Sequence, residues 1–181
     1  NIARDLHREA LERGFQSRVA SLNQFERMKF LSTGVVVIVC CTTCSASNQG
    51  GALPENAKRF GKYLWQKQHS KDHLGSLKFA VLGVGSTKYP ATFCSAAKRI
   101  DERLLALGGR RVLDIGLADD IVGLEVVVEQ WRQKLFACVT QEAGDRDAFG
   151  GAVRPFILSP DVSPSMHPAA ASQSTAPPGA A

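Results

Sequence analysis

Apolar residues follow two alternating spacings along this chain. Ile2, Leu6 and Ala10 recur every fourth residue, which predicts an amphipathic helix over 2–13, with Gly14 in the left-handed position just past its end. Phe15 to Leu22 reads as a short strand with Val19 inward. Val35-Val-Val-Ile-Val-Cys-Cys41 is β-branched, apolar and short, the pattern of a strand buried on both faces of a parallel sheet. Ala57, Phe60 and Leu64 share one face of a helix over 55–68, and Leu77 to Gly83 is a second buried strand. Ala97, Ile100, Leu104 and Leu107 stripe a helix over 94–107 that Gly108-Gly109 ends. Arg111 to Ile115 predicts a strand. Leu124, Val128, Trp131, Leu135 and Cys138 mark a last amphipathic helix.

Strands that alternate with helices predict an α/β fold, an open parallel sheet with helices on both faces. Such sheets bind ligands beyond the carboxyl ends of their strands. The loops Thr42–Pro54 and Val84–Phe93 follow the two buried strands and fall at that edge. From Gly144 the composition shifts to Pro, Ser, Ala and Gly, too poor in apolar side chains to fold alone. The expected organisation is a folded domain over 1–140 and a linker or disordered tail over 141–181.

Composition narrows the function. Of the 181 residues 44% are apolar and 22% charged, as in an ordinary globular protein. The longest apolar run, Val35 to Cys41, is too short to cross a membrane, so no membrane partner is expected. Residues 1–140 carry 20 Lys/Arg against 13 Asp/Glu, a balance of +7, without a block of like charge or a basic stripe interleaved with aromatics. That argues against nucleic acid. Five cysteines, an odd number with no signal peptide ahead of them, point to free thiols and a cytoplasmic location.

Chemistry gathers in the loops. Gly83 and Gly85 let a backbone turn tightly and approach a flat ligand, and Tyr89 offers a face for stacking. Gly83-Val-Gly85 lacks the third glycine of a dinucleotide fingerprint and no P-loop lysine follows. Cys41-Thr-Thr-Cys44 is a CxxC without a second pair to complete a zinc set, and it opens no helix as a thioredoxin-like pair does. His69 and His73 are four apart in a segment that Gly75 ends, as at a surface helix terminus. Asp119-Asp120 caps the start of the last helix, where carboxylates are favoured.

Gly83-Val-Gly-Ser-Thr-Lys-Tyr89, then Phe93-Cys94, Ala96-Ala-Lys98 and Leu107-Gly108, together with Leu117-Ala-Asp-Asp-Ile-Val-Gly-Leu-Glu-Val-Val-Val-Glu-Gln-Trp131, resemble the FMN-binding, flavodoxin-like domain of diflavin reductases. Within that family the acidic turn and its helix are most similar to the methionine synthase reductase branch. The likeness covers roughly residues 2–140. It implies FMN as cofactor, with Tyr89 stacked on the isoalloxazine ring and backbone around Gly85, Ser86, Thr87 and Lys88 at its pyrimidine edge. Phe93, Cys94 and Asp120 fall at matching positions. Thr42, Thr43 and Gly50 match the family's earlier loop, where Cys44 replaces a glycine. The likeness also implies an FAD/NADPH reductase module of the same parent chain as electron donor and a protein electron acceptor, methionine synthase for the branch named. Asp119, Asp120, Glu125 and Glu129 are the candidates for an acidic docking patch.

The family also has a first, central strand and a phosphate-binding loop ahead of its first helix, and Asn1 already lies in that helix. The expectation is therefore a sheet without its central strand, in a chain that folds poorly alone and binds FMN weakly. Two further readings stand beside this one. One is a degenerate module of the same fold kept for protein interaction without flavin. The other is a response-regulator receiver, disfavoured because Val35–Cys41 ends in cysteine rather than Asp and no Lys follows the last strand.

Overall fold

The computed structural model describes residues 1–26, 34–42, 52–147 and 156–158. Its elements are helix α1 (Ile2–Glu12), strands β1 (Arg18–Ala20) and β2 (Val35–Cys41), helix α2 (Lys58–Leu64), strand β3 (Lys78–Gly85), helix α3 (Ser95–Ala106), strand β4 (Arg110–Asp119), helix α4 (Leu124–Asp147) and strand β5 (Phe156–Leu158). The strands form one sheet in the order β1-β5-β2-β3-β4, every pair parallel.

The apolar strand at the centre organises both layers. On one face Val36, Ile38 and Cys40 of β2 join Phe79 and Val81 of β3 under Phe60 and Leu64 of α2 and Ala97, Ile100 and Leu104 of α3. On the other, Val35, Val37 and Val39 join Ala80 and Leu82 under Ala3, Leu6 and Ala10 of α1 and Trp131, Leu135 and Phe136 of α4. Strand periodicity of two sends alternate residues of one run into separate cores, so the run has no polar position. α1 closes as its spacing predicts: Gly14 has φ +84°, and the Phe15 N–H donates to the Ala10 carbonyl at 2.9 Å. Phe15 then stacks on Phe136.

β1 is shorter than expected and β3 runs on to Gly85, and three further element boundaries differ from expectation for a local reason. The second helix is an α-helix only over Lys58–Leu64, preceded by a 3-10 turn at Glu55–Ala57. It stops early because His69 folds back under it: the His69 Nε2 lies 2.7 Å from the Tyr63 carbonyl and the Tyr63 hydroxyl 2.8 Å from His73 Nε2, with the two imidazoles stacked at 3.8 Å. The two histidines thus close a helix end against Tyr63. β4 continues past Ile115 to Asp119, because small residues are buried on its inner face. A Cβ on Gly116 would lie 2.6 Å from the Trp131 ring, which donates its indole N–H to the Asp114 carbonyl at 3.0 Å. α4, whose start Gly123 sets with φ +98°, runs past the expected domain end at 140 to Asp147.

The largest correction concerns the centre of the sheet. Its expected vacancy is filled by β5, from the stretch read as linker or tail. Phe156-Ile157-Leu158 is an apolar triplet within a Pro/Ser/Ala-rich segment, and β1 and β2 offer two open backbone edges with nothing between them. Arg18–Ala20 and Val36–Ile38 both pair with these three residues. The backbone pairing of β1 and β2 is thereby restored over the length of β5.

Candidate ligand site at the carboxyl edge of the sheet

Parallel strands end together, so β2, β3 and β4 deliver their following loops to one edge. Thr42 follows β2. Its N–H donates to the Val84 carbonyl at 3.1 Å and its hydroxyl accepts the Ala96 N–H at 3.2 Å, so Thr42 caps the first turn of α3. Thr43 and Gly50 lie outside the described residues, as does Cys44.

The two glycines act differently from a loop hinge. β3 runs through both Gly83 and Gly85, and neither has a positive φ. What they provide is room. A Cβ on Gly83 would meet Ala97 Cβ at 2.8 Å, and one on Gly85 would meet the Cys94 nitrogen at 2.9 Å and Cys94 Sγ at 3.0 Å. The first turn of α3 therefore sits directly against the strand. Cys94, at the N-cap of α3, is fully buried and has φ +51°, a left-handed conformation uncommon outside glycine. Burial raises its thiol to about 11, partly offset by Lys98, so it stays protonated at neutral pH. Cys94 thus shapes the site from beneath and presents no sulfur at its surface. Burial also raises Cys41, which argues against a thiolate at the CxxC.

The surface of the site is the turn after β3. The Tyr89 N–H donates to the Ser86 carbonyl at 3.0 Å and the Thr92 N–H to the Tyr89 carbonyl at 3.0 Å, so Ser86–Tyr89 forms a hydrogen-bonded β-turn. Thr87, Lys88 and Tyr89 are exposed, Tyr89 to 50%, while Ser86 and Phe93 are half-buried. Lys98 lies over the Phe93 ring at 5.3 Å.

Asp119, expected as a helix cap and a docking candidate while Asp120 alone was placed at the flavin, fixes this turn. Its carboxylate accepts the Thr87 N–H at 3.0 Å, the Thr87 hydroxyl at 2.6 Å and the Ile121 N–H at 3.1 Å. Burial opposes ionisation, but the bonds from Thr87 and Ile121 outweigh it and hold the carboxyl below the usual Asp range. Asp120 is exposed and joins the two loops through its backbone, donating to the Gly85 carbonyl at 3.0 Å. A signal for Asp119 did exist: extending the alternation of β4 through Gly116 and Ala118 makes Asp119 the strand's last residue, beside Gly85 in register.

The edge so built offers an exposed aromatic ring, a turn with peptide groups at the surface, and a rigid carboxylate tie behind it. Among the described residues no three His, Cys, Asp or Glu converge on a metal position. Nearby, Ile121, Val122 and Val126 are 61%, 73% and 61% exposed, an apolar group beside the turn.

Comparison with known proteins identifies the fold. The family model described as Flavodoxin matches residues 1–131. The chain is 36% identical over 141 residues to methionine synthase reductase of Mus musculus, covering 77% of this chain and 19% of that protein. It is 37% identical over 133 residues to NADPH-dependent diflavin oxidoreductase 1 of Danio rerio, covering 72% and 21%. It therefore spans about a fifth of the length of these relatives. Among solved structures, a flavodoxin variant from Pseudomonas aeruginosa superposes with a TM-score of 0.60 at 22% identity, covering 77% of this chain and 89% of the other.

Proposed function

From the premise that this chain belongs to the flavodoxin family, we propose that it is the FMN-binding electron-transfer domain of a cytoplasmic NADPH-dependent diflavin oxidoreductase of the methionine synthase reductase type. The observation that carries the reading is the turn Ser86–Tyr89 at the carboxyl edge, held by Asp119 and presenting a half-exposed tyrosine ring. It suits the ring of FMN. A flat ligand laid against Tyr89 meets the peptide groups of Ser86 to Lys88, and the buried Ser95 hydroxyl close by has no hydrogen-bond partner among the described residues.

When bound, FMN supplies one-electron chemistry between a two-electron donor and a one-electron acceptor. The chain's own residues bind and orient. Tyr89 stacks, the Asp119–Thr87 bonds keep the turn from reorganising, and Cys94 packed against Gly85 fixes its base. In this proposal the donor is an FAD/NADPH module elsewhere in the parent protein, and methionine synthase is the acceptor. The docking face combines acidic and apolar groups, with Asp120 and Glu125 exposed beside the apolar side chains. Asp119 is buried in its own hydrogen bonds and Glu129 pairs with Arg132 at 2.5 Å, whereas Ile121, Val122 and Val126 are open to a partner.

Titrating the chain with FMN and following the quenching of flavin fluorescence tests the reading. Saturation at one FMN per chain is expected. Tyr89→Ala should weaken binding about 2- to 12-fold, since an aromatic stack contributes roughly 0.5–1.5 kcal/mol beyond area burial. Undiminished fluorescence with excess chain would refute the assignment.

A further inference from the structure

The two helical layers differ in charge, although no run of like charge marks the chain. Residues 58–76 and 95–106, which form α2, the turn after it and α3, carry eight Lys/Arg against three Asp/Glu. Residues 2–12 and 124–142, from α1 and α4 on the opposite face, carry four against six. The layers also differ in how that charge is used. Arg8, Arg13 and Arg132 each pair with a carboxylate of α1 or α4. Across the sheet the chain supplies few carboxylates. Lys58 and Arg59 pair with Glu55 and Glu26, and Asp101 is buried against Arg111. Lys62, Lys67, Lys71 and Arg99 are exposed and make no ion pair among the described residues.

Packing gathers these cations around one aromatic ring. Trp65, at the end of α2, is 37% exposed, and the Arg99 guanidinium lies 5.3 Å from its ring centre. Arg103, one turn on from Arg99, donates its Nε–H to the Leu64 carbonyl at 2.8 Å. That cation has a structural task, since the carbonyl end of a helix favours positive charge. Lys62 and Arg99 have none of this kind. Lys62 stands three residues before Trp65, on the same face of α2. Lys71 continues the group to the end of α3, where its carbonyl approaches Gly108. An exposed tryptophan among unpaired cations has the composition of an interface centre.

We propose that the α2/α3 layer, centred on Trp65 and Arg99, docks an acidic segment of a partner polypeptide. The open cations set the partner's sign. Two exposed carboxylates among them, Glu102 on α3 and Asp72 in the turn, set its class. A nucleic-acid backbone or an anionic bilayer presents negative charge throughout and is repelled at both. A polypeptide places Asp and Glu against Lys62, Lys67 and Arg99 and a neutral or basic residue against Glu102 and Asp72. A carboxylate suits the planar fork of Arg99, and an apolar side chain beside it covers the Trp65 ring. Such docking is steered by charge and weakens with salt. The proposal makes no use of flavin, so it stands or falls independently of the function above.

The test uses the full 181-residue chain and a fluorescein-labelled peptide, Glu-Asp-Leu-Glu-Lys-Phe-Asp-Glu-Leu-Glu, with a control in which Gln and Asn replace Glu and Asp. Saturable anisotropy for the first peptide and about tenfold weaker binding of the control are expected. Lys62→Glu should weaken binding about fivefold and Arg99→Gln about threefold, as each removes a cation from the patch. Lys134→Glu makes the same change of charge as Lys62→Glu at an exposed position on α4 and should alter affinity less than about twofold. Unlabelled peptide should shift the tryptophan emission of the parent but not of Trp65→Phe, which keeps only Trp131. Absence of binding, equal binding of the control, equal losses in Lys62→Glu and Lys134→Glu, or an emission shift that persists in Trp65→Phe would each overturn the proposal. So would tighter binding of oligothymidylate or of phosphatidylserine vesicles through the same side chains.

Discussion

Gly85→Ala separates two roles that a glycine in this position can have. The added Cβ would lie 2.9 Å from the Cys94 nitrogen, 3.0 Å from Cys94 Sγ and 3.1 Å from Phe93 Cδ2. The first contact is with backbone that already has a positive φ at the N-cap of α3, so it yields less readily than a side-chain tip. Overpacking of this kind costs about 1–3 kcal/mol, and for a domain of this size each kcal/mol lowers the melting temperature by roughly 2–4 °C. Urea denaturation followed by circular dichroism should show the loss as a lower midpoint with unchanged slope. Cys94→Gly removes the thiol and relieves the left-handed backbone. The double variant should therefore be more stable than the sum of the single changes, by at least about 0.5 kcal/mol of coupling. If Gly85→Ala leaves the midpoint unchanged, close packing against Cys94 is not what this glycine provides. Unchanged stability together with lost FMN binding would reassign Gly85 to ligand approach.

Three further outcomes follow from the same contacts. Asp119→Asn should weaken FMN binding by loosening the Ser86–Tyr89 turn. It should also flatten the acid limb of stability: the folded carboxyl lies below the usual Asp range, so its contribution is present above that range and is lost as pH falls through the lowered folded value. An acid limb identical to the parent's would count against the role given to Thr87. His73 is lowered from 6.5 by burial and by His69, so the fold favours its neutral form; stability is full above pH 6.5 and should decline as pH falls through the lowered value. Urea midpoints compared at pH 7.5 and 5.5 should differ more for the parent than for His73→Gln, and equal differences would refute this. Trp131→Phe keeps the ring over Gly116 but loses the bond to the Asp114 carbonyl. A cost of about 0.5–1.5 kcal/mol is expected in denaturation, and a neutral result would show that the carbonyl finds another donor.

The sequence by itself determined the elements and the edge where they deliver chemistry. Val35–Cys41 could be read as a two-faced strand because burial on both sides leaves no polar position. The α1 and α3 faces showed in their fourth-residue spacing, and Tyr89 stood out as the ring of a loop at the strands' carboxyl ends. These are local properties, set by periods of two and 3.6 residues. Tertiary structure decided what depends on neighbours far along the chain. Asp119 organises the site because β4 lies in register with β3 and brings it to Thr87, a contact between residues 32 apart. Gly83 and Gly85 provide space for α3 rather than a hinge, which their spacing could not distinguish. Phe156–Leu158 became the central strand because two backbone edges needed partners, and a three-residue apolar triplet in a Pro/Ser/Ala-rich stretch carries no periodicity from which that demand could be read.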